Sequence, residues 1–210
     1  MKKKVKSYLV FTSQLYKVLT FVLLPFVTLC LYYFMRERIP QVGIIVVMVM
    51  VVLAEIILDI WLFGGIQAKG ALMQEYLKTS GRGKGVLRDA ICMDLLRRFL
   101  SMVGILGICY ILEGQAWNSM QVAAMRIYMV LVGYTLSTLG VWLGRFEGNY
   151  WTNVVIGYLA VALCIASFFL PGLSRFILFY ALALAVLAVL ASSLTVKSVM
   201  KKMEGSYYDT

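Results

Sequence analysis

Six long stretches of mostly uncharged residues follow one another along the chain, each about 20 residues in length. An apolar helix of about 20 residues is long enough to cross the hydrocarbon core of a bilayer. The pattern therefore predicts a six-helix transmembrane domain, with spans at residues 18–35, 41–63, 93–112, 127–144, 150–170 and 176–196. The third span is the weakest, because only residues 99–112 lack charge. It requires Arg97 and Arg98 to extend toward the lipid headgroups.

Composition agrees with membrane spans and excludes several kinds of active site. Of the 210 residues, 62% are hydrophobic and 14% are charged, whereas a soluble domain has about 45–50% apolar and about 25% charged residues. There is no histidine for a general base or a zinc site, and the four cysteines include no C-x-x-C pair. We therefore expect an all-α integral membrane protein that is not an enzyme and has no catalytic residue, metal site or bound cofactor of its own.

The dipeptide Gly83-Lys84 is not part of a phosphate-binding loop. Such a loop requires Gly five residues before its Gly-Lys and Ser or Thr directly after it. This chain has Lys78 and Gly85 at those positions. Any ATP that drives this protein is therefore expected to bind to another chain.

An asymmetric distribution of basic residues predicts the orientation of the helices. The chain has 20 Lys and Arg residues, and with an inner amino terminus only four of them fall on outer segments. These four are Arg36, Arg38, Arg126 and Arg175. Since cytoplasmic segments of membrane proteins carry the excess of positive charge, both termini are predicted to be cytoplasmic and the chain to lie in the cell membrane. The net charge of +10 is thus attributed to orientation and not to nucleic-acid binding.

Residues 1–17 are predicted to form an amphipathic helix at the inner membrane face. They combine lysines with Val5, Tyr8, Leu9 and Tyr16, which are spaced to lie on one side of a helix. Such a helix lies flat, with its lysines toward anionic lipid. The alternative is a basic leader that only fixes the orientation of the chain.

The longest predicted link between spans, residues 66–92, lies on the inner side. Its middle part contains helix-forming residues, followed by a glycine-rich turn and a second helix that leads into the third span. The apolar face of the middle part consists of Leu72, Met73, Tyr76 and Leu77. Because so short a helix is unstable alone in water, we predict that it docks on a protein. The alternative is a simple connection, and residues 197–210 are predicted to be a cytoplasmic tail.

Glu55 and Asp59 are the acidic residues inside an apolar stretch, and they lie one helical turn apart on one face. Asp59 is expected near the inner headgroups, since it lies roughly 27 Å from Gln41 at the outer end of its span. We interpret the two acids as members of structural ion pairs, with a proton or ion site as the alternative. The candidate partners are Arg97, Arg98 and Arg145.

Two weaker patterns involve the fourth span. Gly140 and Gly144 form a G-x-x-x-G motif, which allows close approach of helices and is a candidate subunit contact. Glu113 and Arg126 flank the same outer link and are candidates for an ion pair.

The layout of the chain resembles the membrane subunits of ATP-binding-cassette (ABC) exporters of the type-2 permease class. The resemblance covers the whole chain: six spans, inner termini, an amphipathic amino-terminal elbow helix and a long inner link between the second and third spans. In that class the link contains a coupling helix that fits a cleft on the ATPase subunit. The resemblance implies a coupling helix within residues 71–80. The ATPase contacts that it implies are Leu72, Met73, Glu75, Tyr76, Leu77, Lys78 and Thr79.

The resemblance also implies partners and a function. The partners are an ABC ATPase that binds ATP and Mg²⁺, a second identical or related permease copy, and membrane lipid. The function is export of an amphipathic peptide, lipid-like or drug-like substrate across the bacterial cell membrane. Many members have short re-entrant helices between the fifth and sixth spans, where this chain has only residues 171–175.

Two other classes of function compete with this interpretation. One is an ion-coupled secondary transporter or channel that uses Glu55 and Asp59 directly. The other is a non-catalytic membrane immunity or scaffold protein. A membrane enzyme acting on lipids is disfavoured, because the sequence has no dense cluster of acidic, His or Cys residues.

Overall fold

The computed structural model describes residues 2–37, 40–62, 82–113, 120–147, 150–173 and 175–205. Within these residues the chain is helical and contains no strand. Six helices of the described part are long and apolar enough to cross a membrane, which confirms the prediction of an all-α, multi-pass membrane protein. The predicted coupling helix within residues 71–80 lies outside the described residues.

The helices are named here in chain order, and α2 and α3 are joined by a π-helical segment into one continuous span. Their bounds are α1 Lys2–Phe11, α2 Gln14–Val18, the π segment Leu19–Leu23, α3 Leu24–Arg36, α4 Pro40–Leu62, α5 Gly83–Glu113, α6 Met120–Glu147, α7 Tyr150–Ala166 and α8 Ile177–Gly205. Helix α5 runs without interruption from Gly83 to Glu113, so it contains both the predicted third span and the last part of the predicted inner link.

The first span changes its helical winding on approaching a proline. Ser13 caps its start by accepting a hydrogen bond from the backbone N–H of Tyr16 at 3.1 Å. The π segment Leu19–Leu23 then precedes Pro25, which has no N–H to donate to the preceding turn. Thr20 and Thr28 each donate a hydroxyl to the carbonyl four residues earlier at 2.7 Å. These bonds satisfy backbone acceptors around an irregular segment of a membrane helix.

Helix α4 lies at the centre of the bundle and packs against α3, α5, α6 and α7. Its inward residues are aliphatic or Met and are almost fully buried, including Val47, Met48 and Ile56. They meet Met102 and Leu106 of α5 in one continuous apolar core. Helix α6 packs on the other side of this core and carries α8 against its outer face.

Polar contacts of α6 attach the last two spans. The Tyr128 hydroxyl donates to the carbonyl of Ser167 at 2.8 Å, directly after α7. The Tyr134 hydroxyl shares a 2.9 Å hydrogen bond with the hydroxyl of Ser192 on α8. In an apolar core each such bond satisfies groups that have no water to bind.

Two glycines of α6 allow close packing inside one chain. A Cβ at Gly140 would overlap the side chain of Ile56 on α4, and a Cβ at Gly144 would overlap the amide of Asn153 on α7. The proposal that this G-x-x-x-G motif forms a subunit contact was therefore wrong: both positions are filled by helices of the same chain. The motif lets α6 approach α4 and α7.

The outer faces of three spans are strongly apolar and uncovered. In the first, fifth and sixth spans only 22% of the residues of the apolar window are buried inside the chain. Phe26, Tyr158 and Phe179 are each more than 60% exposed. A surface this apolar is stable only against lipid or another membrane protein.

Candidate functional site

Five charged side chains from α4 and α5 meet inside the bundle, and together they are called the charge cluster. Its members are Glu55, Asp59, Asp94, Arg97 and Arg98. All five are buried, with at most 8% of any residue exposed. The two acids of α4 are one turn apart, and Asp94 is three and four residues before the arginines of α5, so each helix presents its charges on one face.

Arg97 binds the carboxylate of Glu55 through two parallel hydrogen bonds. Its Nη1 donates to Oε1 at 2.8 Å and its Nη2 donates to Oε2 at 2.5 Å. This fork geometry is the strongest form of carboxylate recognition by a side chain. Arg97 also donates to Oδ1 of Asp94, from Nε at 3.4 Å and from Nη2 at 3.3 Å.

Arg98 connects the same two helices with a second set of bonds. Its Nε donates to Oδ2 of Asp94 at 2.9 Å, and its Nη2 donates to Oδ1 of Asp59 at 2.6 Å. Its Nη1 lies 3.2 Å from Oε2 of Glu55 and donates to the Glu55 backbone carbonyl at 3.2 Å. The side chain of Arg98 is fully buried, so its charge is stabilised by these protein groups and not by water.

Asp94 is the residue that joins the two arginines, because its two carboxylate oxygens accept from both. It therefore holds both guanidinium groups in the orientation in which they contact the acids of α4. The pairs across the helices then fix α4 and α5 relative to each other. Breaking one buried pair by removing a single partner typically costs about 3–5 kcal/mol, because the other charge is left uncompensated.

The expectation that Arg97 and Arg98 extend toward the headgroups was wrong, since both are buried and point into the charge cluster. The physical reason is that three buried carboxylates lie within hydrogen-bonding distance of the two guanidinium groups and compensate their charge inside the bundle. Two of the three candidate partners of Glu55 and Asp59 thus lie in contact with them. The side chain of the third candidate, Arg145, lies outside the described residues.

A second apolar cluster attaches the amino-terminal helix next to the charge cluster. Tyr8 and Phe11 of α1 are buried against Leu87, Ile91 and Leu95 of α5. Tyr16, at the start of the first span, belongs to the same cluster. Its ring lies 5.7 Å from the guanidinium carbon of Arg97, within the range of a cation–π interaction.

Burial of Tyr8 changes its acidity. Removal from water raises the pKa of this phenol to about 12, an effect that outweighs the nearby Arg97 guanidinium, which lowers the pKa. The folded state therefore favours the neutral phenol. The contribution of this packing to folding stability is fully present below pH about 10. It decreases as the pH rises from there toward the folded pKa of about 12.

An apolar groove of about 490 Å³ lies between α1, the first span and α5. Its lining includes Leu9, Phe21, Pro25 and Leu100. Arg97 is the charged residue among the described residues that line it. The apolar surface of the groove therefore adjoins the charge cluster at Arg97.

The sequence prediction did not identify the contribution of α1 to this region. Tyr8 and Tyr16 were assigned to the membrane face, whereas the structure buries both rings in the apolar cluster on α5 and places the Tyr16 ring beside Arg97. Their helical spacing indicated an apolar face but not the element that covers it. The predicted outer pair is also close: Nη2 of Arg126 lies 3.9 Å from Oε2 of Glu113.

The predicted ATPase contacts, residues 72–79, lie outside the described residues. Comparisons with protein-family models, with curated proteins and with solved structures gave no match. No relative therefore supplies a role for any residue of this chain. The charge cluster, the attached α1 and the apolar groove are the features of the described residues from which we propose a function.

Proposed function

We propose that this chain is the permease subunit of an ATP-driven ABC exporter that moves an amphipathic or lipid-like substrate. The observation that carries the proposal is the charge cluster, which joins α4 and α5 by hydrogen bonds across their buried faces. These two helices border the link of residues 63–82. A displacement of that link by a partner would move both helices together.

The chemistry of the charge cluster supports transmission of movement better than ion transport. Each acid of α4 is bound by a guanidinium, at 2.5 Å for Glu55 and 2.6 Å for Asp59. A transported ion or proton would have to displace an arginine that is itself buried. A rigid contact between two helices, in contrast, is what a rocking mechanism requires.

The amino-terminal helix extends the same unit. Because α1 is packed on α5 through Tyr8 and Phe11, and Tyr16 lies against Arg97, the start of the first span follows any movement of α5. In the proposed exporter, α1 is the elbow helix. It would couple the first span to the two helices that border the link.

The apolar groove supports an amphipathic substrate. It is bordered by the first span, at its π-helical segment and Pro25, and by α5, the helix that the proposed mechanism displaces. A change in the position of α5 would therefore change the width of the groove. Uncovered apolar faces on three spans leave room for the second permease copy and for lipid.

The proposal predicts that Leu77→Asp abolishes recovery of an ABC ATPase with this chain. A charged side chain on the apolar face of the proposed coupling helix would remain hydrated and so prevent docking in an apolar cleft. The measurement is affinity purification of the tagged chain from membranes of its native host, with the recovered proteins identified by mass spectrometry. Leu77→Met is the matched control and should retain the ATPase, because it preserves volume and apolarity.

Equal amounts of variant and control in the membrane fraction show that insertion is intact. Recovery of the same amount of ATPase by Leu77→Asp would contradict the proposed docking site. Recovery of no ATPase even by the unmodified chain would contradict the proposed function itself.

A further inference from the structure

A second groove lies between α5 and α8 at the end of the bundle where α5 begins and α8 ends, and we call it the basic groove. Its volume is about 630 Å³, which is within the range of about 300–1,000 Å³ typical of small-molecule sites. Arg88 projects into it from α5, and Lys197 and Lys201 project into it from α8. None of the described residues that line it is acidic.

The helical spacing of the lining residues separates charge from apolar surface. On α8, Ser193, Lys197 and Lys201 follow one another at intervals of four, so they form one line along the helix. The three basic residues are exposed. Leu95 and Met200, which also line the groove, belong to the second apolar cluster or pack against it.

The depth of these residues matches the structure of a lipid leaflet. At 1.5 Å per residue, Lys197 lies roughly 30 Å along α8 from Ile177, and Arg88 lies roughly 38 Å along α5 from Glu113. The hydrocarbon core is about 30 Å thick, so these cations reach the headgroup region. Leu95, roughly 27 Å from Glu113, lies at the depth of the acyl chains.

We propose that the basic groove binds the headgroup of an anionic phospholipid, held by Arg88, Lys197 and Lys201 and with its acyl chains along the apolar surface below. Three exposed cations, with no acid among the described residues that line the groove, select a phosphate that carries net negative charge over a zwitterionic headgroup. Basic pockets between membrane helices bind anionic lipids in this way. The inference depends on the predicted inner position of this end of the bundle and not on the proposed ATPase.

The test is lipid binding to the purified full-length chain in detergent, measured by native mass spectrometry. The probes are palmitoyl-oleoyl phosphatidylglycerol and the phosphatidylcholine with the same chains. The expected result is that phosphatidylglycerol binds at least about tenfold more tightly. The triple variant Arg88→Gln, Lys197→Gln and Lys201→Gln should lose this preference.

Two further variants separate a defined site from general attraction. Lys4→Gln, Lys6→Gln and Arg82→Gln together remove the same charge from exposed residues at the same end of the bundle, and should keep the preference. Ser193→Phe retains every cation but fills the groove, and should reduce phosphatidylglycerol binding at least about fivefold.

An equal loss of the preference for phosphatidylglycerol in the two triple variants would overturn the proposal, because it would show diffuse electrostatic attraction. Full binding by Ser193→Phe would also overturn it. Displacement of the lipid by equimolar inorganic phosphate would show a site for the free ion, and displacement by polyglutamate would show a site for an acidic protein segment. Either result would replace the lipid as the occupant.

Discussion

Arg97 and Arg98 are adjacent in sequence, and they contact the acids of α4 differently: Arg97 binds Glu55, whereas Arg98 contacts both Glu55 and Asp59. Arg97 takes Glu55 with both terminal nitrogens, while Arg98 reaches Asp59 one turn further along. Asp94 accepts from both arginines and prevents either from adopting another rotamer without loss of a bond. The stability of the contact between α4 and α5 should therefore depend on each charge having its partner.

Removal of one charged side chain should therefore lower the free energy of unfolding more than removal of both members of a pair. We expect Arg97→Leu to lower the free energy of unfolding by about 3–5 kcal/mol, because buried Glu55 loses its two short hydrogen bonds and keeps only the 3.2 Å contact with Arg98, which Asp59 and Asp94 share. The double variant Arg97→Leu with Glu55→Met should recover at least about half of that loss. The measurement is reversible unfolding in mixed micelles by far-ultraviolet circular dichroism.

Arg82→Leu is the control, since Arg82 is exposed, and it should change stability by no more than about 0.5 kcal/mol. A double variant that is no more stable than Arg97→Leu would show that the pair does not act as a unit.

At the scale of elements, α4 is held on one side by charge and on the other by close packing. The charge cluster fixes it to α5, and Gly140 allows α6 to approach until the glycine lies against Ile56. An element restrained on both faces moves with its neighbours. This arrangement is the expected property of a helix that transmits displacement from its end to the bundle.

Gly140→Ala and Gly157→Ala provide a matched test of this packing. A Cβ at position 140 meets the buried side chain of Ile56, whereas a Cβ at position 157 has no neighbour within 4 Å. Gly140→Ala should lower stability by about 1–3 kcal/mol through overpacking. Gly157→Ala should be neutral or more stable by up to about 1 kcal/mol, because Ala favours the helix.

The midpoint of thermal unfolding in one detergent compares the two variants directly. If Gly140→Ala unfolds at the same temperature as Gly157→Ala, the contact between Gly140 and Ile56 does not restrict the approach of α6 to α4.

The six spans were predictable because each is a long stretch of apolar residues and membrane helices need no further signal. The charge cluster was only partly predictable. Helical spacing places Glu55 beside Asp59 and Asp94 beside the two arginines, but the register between α4 and α5 depends on packing of distant residues. For the same reason the buried positions of Tyr8 and Tyr16 could not be derived from their spacing alone.

In the molecule as a whole, the described residues form a bundle that contains the charge cluster near one end and has uncovered apolar faces along its sides. Basic residues gather at the end where α1 packs on α5, including Lys4, Arg88 and Lys197. The bundle has no phosphate-binding loop in its sequence. We propose that movement enters the bundle through the link between α4 and α5, from an ATPase bound there.

The most direct test of this claim is photo-crosslinking from the link itself. A benzoylphenylalanine placed at Tyr76 should form a covalent adduct with an ABC ATPase in membranes of the native host, identified by mass spectrometry. The same probe at Trp117, on the predicted outer side, should give no such adduct. An ATPase adduct from position 76 alone is the predicted result. Its absence from position 76, or its appearance from position 117, would contradict the account.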